Sequence, residues 1–505
     1  MPTAETALPA LSAPLSKVDF LDDYRLAWES RLASLAGRKE VFMGKAKFGI
    51  FGDGKEVPQL AMARAFQNGD FRAGYYRDQT FMVAIGQLTW QQYFAQLYAN
   101  PDVEAEPATG GRAMNGHFAT RMLDDDGNLT DLTKTKNSSA DVSPTASQMP
   151  RLLGMAYASK LFRQNPELHQ FTALSNKGNE VAFGTIGNAS TSEGMFFEAL
   201  NAAGVLQVPM LVSVWDDHYG ISVPAEYQTT KQSISEIMAG LQRDGEGQQG
   251  FEIYAVRGWD YAGLIDTYQR AAAVCREQHV PVLIHVTELT QPQGHSTSGS
   301  HERYKSKERL QWEEAHDCLH KLREWLLAEG HATEIELDEI EKAAAVTIKT
   351  ARTTAWADFF DAIKAERDEA VVLLDQLVAD TGTENTLHEM VEQAQGEPHA
   401  DSGRHCADHA PRPAPRAQRK AQLWPPQRAA PPRAACSPKT PTAITPTCSA
   451  KASSLLATSK KCPPPSRPTP RWWTPARCCR PASMPTSSAT PASSPSAKTW
   501  ARLAM

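Results

Sequence analysis

The chain has 505 residues and a formal net charge of −6, but this total hides two unlike parts. Residues 1–400 carry 35 Lys and Arg against 56 Asp and Glu, a balance of −21, whereas residues 401–505 carry 17 Lys and Arg against two acids, a balance of +15. The acidic first part argues against a nucleic-acid partner, and no apolar run approaches the roughly 20 residues of a membrane span.

The predicted elements follow a disordered lead-in at residues 1–16, which is rich in Ala, Pro and Leu and lacks the basic start of a signal peptide. Apolar side chains that recur every three to four positions then indicate amphipathic helices. We predict these helices over residues 17–45, 58–67, 87–99 and 145–164, with residues 100–145 rich in loops.

From residue 180 onward the pattern changes to alternating strands and helices. The predicted strands are Glu180–Ile186, Pro209–Trp215, Phe251–Val256 and Pro281–Thr287, with helices over Ser192–Leu206 and Tyr261–Gln278. This alternation predicts an α/β fold with a mostly parallel sheet flanked by helices. Long charged helices follow over residues 306–330 and 337–379, so we assign residues 17–386 to one module.

The cysteines also divide the chain. The first part holds only Cys275 and Cys318, which fall within helical patterns and are expected to pack as free thiols in a reducing cytoplasm. Residues 387–505 lack helical or strand periodicity and are predicted to be a disordered, low-complexity tail. This tail has three interpretations. It could be a basic arm that binds nucleic acid, a cysteine cluster that binds zinc, or the product of a frameshift in a GC-rich gene. Its cysteine spacings match no zinc pattern, and its composition favours the frameshift.

Two loops carry the most informative chemistry. A predicted strand ends in the small-residue turn Gly187-Asn188-Ala189-Ser190 before a helix, whose N-terminus suits a phosphate. The next parallel strand ends at Asp216-Asp217, so both loops lie at the carboxyl edge of the sheet, where open α/β sheets bind ligands. A diphosphate there calls for a divalent cation, and we predict magnesium ligands at Asn188, Asp217 and the backbone carbonyl of Tyr219. Taken singly, a Gly-rich turn between a strand and a helix is common, and two adjacent Asp after a strand are more often a solvated turn.

The combination resembles the alpha subunit of the thiamine-diphosphate-dependent 2-oxo acid dehydrogenases. The family motif is Gly-Asp-Gly, followed one helix later by Asn-Asn; here it stands as Gly187-Asn188-Ala189 and Asp216-Asp217. The amide and the carboxylate have therefore exchanged positions. The resemblance covers roughly residues 20–380 and implies the thiamine-diphosphate-binding fold.

Further stretches match the family in the same order. The segment with Arg77 resembles the one whose arginine grips the diphosphate, a role that suits a guanidinium. The loop with His117 resembles the lining of the cofactor channel, and residues 142–148 resemble the helix start that cradles the cofactor. The cofactor-binding residues that the resemblance implies are Tyr76, Arg77, His117, Ser143, Thr145, Gly187, Asn188, Ala189 and Ser190. In branched-chain members the helix start also binds potassium, through oxygens equivalent to those of Val142, Pro144, Ser147 and Gln148.

The loop after the last strand, residues 294–304, resembles the flexible loop over the family's active-site mouth. His295 occupies the slot of the catalytic histidine, where a side chain that titrates near neutrality can orient substrate or pass protons. Ser296 occupies a slot that is phosphorylated in some relatives, from which alone we predict no regulation. Without the resemblance, Arg77 fits a surface ion pair, His117 a hydrogen-bonded loop histidine and His295 a polar surface loop.

The resemblance implies that the chain works with a beta module, fused or separate, to decarboxylate a 2-oxo acid and acylate the lipoyl group of an acyltransferase. The potassium-site resemblance favours a branched-chain substrate such as 3-methyl-2-oxobutanoate over pyruvate. Because the resemblance covers only the diphosphate-binding module, we predict that the chain alone is inactive and that the intact enzyme is an oligomer. A transketolase-like thiamine enzyme and a catalytically dead α/β binding module with a basic tail are the alternatives.

Overall fold

The computed structural model describes residues 15–381. The predicted disordered segments at 1–16 and 387–505, and with them the three interpretations of the tail, lie outside this range except for residues 15 and 16. The helices are α1 (Lys17–Phe42), α2 (Glu56–Ala65), α3 (Gln79–Ala84), α4 (Trp90–Leu97), α5 (Gln148–Gln164), α6 (Gly194–Leu206), α7 (Ile234–Met238), α8 (Tyr261–Gln278), α9 (Lys307–Ala315), α10 (Cys318–Ala328) and α11 (Glu334–Thr381). The strands are β1 (Phe71–Ala73), β2 (Asn137–Ser138), β3 (Ala182–Gly187), β4 (Met210–Trp215), β5 (Tyr219–Gly220), β6 (Val223–Pro224), β7 (Glu252–Arg257) and β8 (Val282–Thr287).

Six strands form one parallel sheet in the order β2-β1-β3-β4-β8-β7, and β5 and β6 form a small antiparallel hairpin. This arrangement confirms the predicted α/β fold with a mostly parallel sheet. The chain first builds the sheet outward from β1 to β2 and then returns to place β3 on the other side of β1. The direction of growth therefore reverses between β1 and β3, and ligands of open α/β sheets bind in the crevice at such a reversal.

Both faces of the sheet are covered because its central strands are apolar on both sides. Successive side chains of a strand point to opposite faces, and along β4 Leu211 and Trp215 join one apolar cluster while Val212 and Val214 join another. The first cluster packs under α2 and α8, and the second packs under α5 and α6. A third apolar cluster lies where α1, α4 and α11 meet.

The structure confirms the four long strands to within two residues at each end, and α8 has the predicted bounds. The predicted helix over residues 306–330 is instead two helices, because the Asp317 side chain accepts hydrogen bonds from the backbone N–H groups of Leu319 and His320 and so caps a new helix. The helix predicted to begin at Ser192 begins at Gly194, after a 3₁₀ turn over Asn188–Ser192. Cys275 and Cys318 are free and buried, as predicted. Within residues 15–381, none of the helices is both long and apolar enough to cross a membrane.

Candidate functional site

The loops that follow β1 and β3 lie side by side and carry several of the predicted site residues. β1 leads directly into Tyr75, Tyr76 and Arg77, while β3 leads into Asn188. A Cβ atom built on Gly187 would lie 3.7 Å from the hydroxyl oxygen of Tyr75, so the two loops are close neighbours. The reversal of strand order thus places an arginine and an asparagine at one end of the sheet.

Arg77 is a buried cation without an ionic partner. Its side chain is 4% exposed, and its guanidinium donates to the Phe51 carbonyl oxygen at 2.5 Å, to His295 Nδ1 at 2.9 Å and to the His295 carbonyl oxygen at 3.1 Å. No carboxylate of residues 15–381 forms a salt bridge with it. Buried charges are normally paired, so this arrangement fits an anionic ligand, and the surface ion pair considered for Arg77 is wrong.

His295 is held in one protonation state by the same contact. A guanidinium only donates hydrogen bonds, so His295 Nδ1 must accept, and the ring proton lies on Nε2. Burial, together with the positive charge of Arg77, lowers the pKa of His295 to about 3. The ring is therefore neutral at physiological pH and offers one N–H donor.

Asp217 forms an ion pair that the sequence patterns did not predict. Lys55 Nζ lies 2.8 Å from Asp217 Oδ2, and the remaining donors of Lys55 reach Gln291 Oε1 at 2.7 Å and the Thr290 carbonyl oxygen at 3.1 Å. Burial raises the pKa of Asp217, but Lys55, with Arg77 and Lys305 nearby, offsets this and holds the pKa at about 2. The Asp217 carboxylate is thus ionised, and the Lys55 ammonium already balances its negative charge.

Asn188 presents an unused polar group. The residue is 4% exposed, and its Nδ2 has no hydrogen-bond partner among the described residues. Its backbone carbonyl oxygen accepts a hydrogen bond from the Thr191 hydroxyl at 2.6 Å, which fixes the 3₁₀ turn. A buried donor without a partner costs about 1–3 kcal/mol, so a bound acceptor would relieve this cost.

Asp217, the one carboxylate among the three predicted magnesium ligands, is not free to bind the ion as the residues are arranged. Magnesium requires oxygen ligands in an octahedron, whereas Asp217 Oδ2 is occupied by Lys55 and Oδ1 accepts from the backbone N–H of Tyr219 at 3.1 Å. The Asp217 carbonyl oxygen accepts from Arg309 at 3.1 Å. Within residues 15–381 there is also no cluster of three His, Cys, Asp or Glu side chains that could hold a metal.

The predicted channel residue His117 is adjacent to this site. A Cβ atom on Gly116, whose φ is +82°, would lie 2.4 Å from the Tyr76 carbonyl oxygen, so glycine permits the close approach of the two loops. His117 Nε2 lies 2.8 Å from Ser143 Oγ, and Nδ1 lies 3.1 Å from the Met114 carbonyl oxygen. The tautomer with a proton on Nδ1 satisfies both contacts, which ties Ser143 to the crevice.

The other predicted ligands stand apart from this cluster of contacts. Pro144 and Thr145 are exposed, and Gln148 donates through Nε2 to the Thr185 carbonyl oxygen at 2.9 Å. Val142 and Ser147 lie in the same turn before α5, which begins at Gln148. Ser296 is buried, and its hydroxyl contacts that of Ser298 at 2.8 Å. The potassium site stays a prediction.

Comparison with known proteins matches the chain to one protein family and to alpha subunits of 2-oxo acid dehydrogenases. The family model described as "Dehydrogenase E1 component" matches residues 27–363. The chain is 28% identical over 215 residues to the 2-oxoisovalerate dehydrogenase subunit alpha of Bacillus subtilis (strain 168), which covers 42% of this chain and 56% of that protein. It is 26% identical over 326 residues to the mitochondrial 2-oxoisovalerate dehydrogenase subunit alpha of Dictyostelium discoideum, covering 64% of this chain and 62% of the relative.

Pyruvate-type proteins match as well. The chain is 26% identical over 206 residues to the pyruvate dehydrogenase E1 component subunit alpha of Rickettsia bellii (strain RML369-C), covering 40% of this chain and 55% of that protein. The matches to these three relatives therefore span between about half and three fifths of their lengths.

Proposed function

Because the chain belongs to the dehydrogenase E1 component family, we propose that it is the alpha module of a thiamine-diphosphate-dependent 2-oxo acid dehydrogenase, an oxidoreductase. In this proposal the crevice between β1 and β3 holds the diphosphate of the cofactor. When bound, thiamine diphosphate supplies the electron sink for decarboxylation. The chain's own residues bind the diphosphate, orient the substrate and fix the positions of protons.

The observation that carries the proposal is the unpaired charge of Arg77. Its contacts to Phe51 and His295 hold the guanidinium in a fixed orientation, and no carboxylate of the described part of the chain forms a salt bridge with it. The charges of Asp217 and Asp53 reach it only at longer range. Guanidinium groups suit phosphate oxygens because they offer several N–H donors in one plane. A diphosphate at the carboxyl edge would supply the missing negative charge.

The two histidines have different tasks in this proposal. His295 is neutral and donates through Nε2, so it orients the substrate by a hydrogen bond and does not act as a charged acid. His117 is held by Met114 and positions the Ser143 hydroxyl beside the cofactor channel. Tyr76, Thr145, Gly187, Ala189 and Ser190 complete the proposed cofactor surface.

The substrate, the partners and the location belong to the proposal as well. A beta module completes the site, and a lipoyl-bearing acyltransferase takes the acyl group. A branched-chain 2-oxo acid is favoured by the resemblance at residues 142–148, and the named relatives include both branched-chain and pyruvate enzymes. A cytoplasmic location stays a prediction, and the predicted magnesium ion is not part of this proposal because Lys55 already pairs with Asp217.

The proposal is tested by titrating the full chain with thiamine diphosphate in a calorimeter. We expect Arg77→Gln to weaken binding at least about tenfold, because the only buried cation without an ionic partner among these site residues is lost. Arg257→Gln is the matched control, since Arg257, the last residue of β7, is 59% exposed in its ion pair with Glu288. Equal binding by the two variants, or no binding by the wild-type chain, would contradict the proposal.

A further inference from the structure

Lys55 is the most unusual charged residue of the site. Its side chain is 1% exposed, and all three ammonium protons have acceptors, on Asp217, Thr290 and Gln291. Lysine is almost never fully buried unless it is paired, and a buried ammonium without partners would lose its proton. Burial lowers the pKa of Lys55 and the Asp217 carboxylate counters this effect, so the charge of the ammonium depends on its buried partners.

The surrounding backbone holds Lys55 in place. Gly54 has a φ of +83°, and a Cβ atom there would lie 2.2 Å from the Thr290 carbonyl oxygen, which is itself an acceptor of Lys55. Gln291 accepts from Lys55 and donates through Nε2 to the Asp53 carbonyl oxygen at 3.2 Å. The turn before α2 and the loop after β8 are thus joined around the ammonium, so its position is preorganised.

The charges around Asp217 leave no role for a second cation. Lys305 and Arg309 also lie near Asp217, and both form ion pairs with Glu313, at 2.7 and 2.8 Å. A divalent ion on Asp217 would have to displace Lys55, share Oδ2 with it, or bind Oδ1, which already accepts from the Tyr219 N–H. Unless Lys55 leaves, two cations would share one buried carboxylate, and like charges repel at short range.

Asn188 complements this arrangement. A carboxylate at this position would only accept hydrogen bonds, and it would need a cation between itself and a phosphate. The amide can instead donate directly to a phosphate oxygen, and its buried Nδ2 has no other partner within residues 15–381. The Asn188 amide and the Lys55 ammonium therefore complement each other, because the first can donate to a phosphate oxygen and the second balances the charge of Asp217.

We propose that this site binds the diphosphate without a divalent metal: Lys55 takes the place of the metal at Asp217, while Arg77 and the Asn188 amide contact the phosphate oxygens. This inference rests on the proposed function, because it assumes that the crevice receives a diphosphate. It can be distinguished from the magnesium prediction by measurement, because a metal-free site should bind thiamine diphosphate equally well when a chelator removes divalent ions.

The test is a calorimetric titration of the full chain with thiamine diphosphate, once with EDTA and once with magnesium chloride. We expect the two dissociation constants to agree within about threefold. Binding that appears only with magnesium would overturn the metal-free site while leaving the proposed function intact. Absence of binding under both conditions would overturn the proposed function and the inference together.

Two variants test the parts separately. Asn188→Asp should weaken binding in EDTA at least about tenfold and make it respond to magnesium, because a donor is replaced by a negative charge. Lys55→Met should have the same effect by freeing Asp217, whereas Lys134→Met, at an 80% exposed position, should bind as the wild type does. Unchanged metal-free binding by Asn188→Asp would overturn the inference even if Lys55→Met does not fold.

Discussion

Arg77 Nη2 and His295 Nδ1 are joined by a hydrogen bond of 2.9 Å, although the two residues lie 218 positions apart in the chain. This contact links the loop after β1 to the loop after β8. It fixes the histidine tautomer and places a permanent positive charge beside the ring, so two residues assigned separate roles by resemblance form one unit.

The neutral state of His295 depends on Arg77. Burial and the Arg77 charge lower the pKa of His295 to about 3, so Arg77→Gln should raise this pKa toward the ordinary value of about 6.5, while Arg257→Gln should not. Since the folded-state pKa is depressed, the stability that His295 contributes is present above about pH 6.5 and is lost as the pH falls toward 3. Histidine-selective NMR over this pH range measures the titration. A His295 signal that titrates identically in both variants would contradict the electrostatic role of Arg77.

The Lys55–Asp217 pair should be costly to break. Asp217→Asn leaves the buried ammonium without a counter-charge, so we expect a loss of about 3–5 kcal/mol in the free energy of unfolding. Asp125→Asn is the control, because Asp125 is 92% exposed in its ion pair with Arg121 and should cost no more than about 1 kcal/mol.

The same pair predicts a pH dependence. The pKa of Asp217 is lowered to about 2, so its contribution is present above about pH 4 and fades as the pH falls through 2. The difference between wild type and Asp217→Asn, measured by urea unfolding, should therefore shrink at acidic pH. A difference that is constant from neutral to strongly acidic pH would argue against a charged pair.

The turn that carries Lys55 requires glycine at position 54. Gly54→Ala introduces a Cβ atom 2.2 Å from the Thr290 carbonyl oxygen in addition to the cost of a φ of +83°. Gly86→Ala isolates the second effect, because its φ is +77° and no atom lies within 4 Å of the new Cβ. We expect Gly86→Ala to cost about 1–2 kcal/mol and Gly54→Ala to cost about 1–3 kcal/mol more. Equal unfolding free energies for the two variants would show that the loops adapt freely.

The chain alone should not turn over a 2-oxo acid. In the proposed function a beta module completes the site, and the contacts described above account only for the diphosphate end. Carbon dioxide release from pyruvate and from 3-methyl-2-oxobutanoate, measured with the purified chain and thiamine diphosphate, should be at background. Turnover of either acid by this chain would refute the half-site interpretation.

The sequence patterns predicted the fold where elements are long and periodic, such as β3, β4 and α8. They missed β1 and β2, which have three and two residues, because strands this short have no measurable period. The patterns also missed the boundary between α9 and α10, because a single side chain, that of Asp317, caps the second helix and leaves no periodic signal. The metal ligands were predicted from the loops at Asn188 and Asp217 alone. Lys55 lies 162 positions from Asp217 in a Gly-rich turn that resembles a solvated loop, so only the folded chain reveals the pairing.

The central claim is that this chain binds its cofactor by the diphosphate, and comparing thiamine diphosphate with unphosphorylated thiamine tests it most directly. In calorimetric titrations of the full chain under one buffer condition, we predict that thiamine diphosphate binds at least about tenfold more tightly than thiamine, because Arg77 and Asn188 contact phosphate oxygens only. Equal affinities for the two ligands, or no binding of either, would contradict the account.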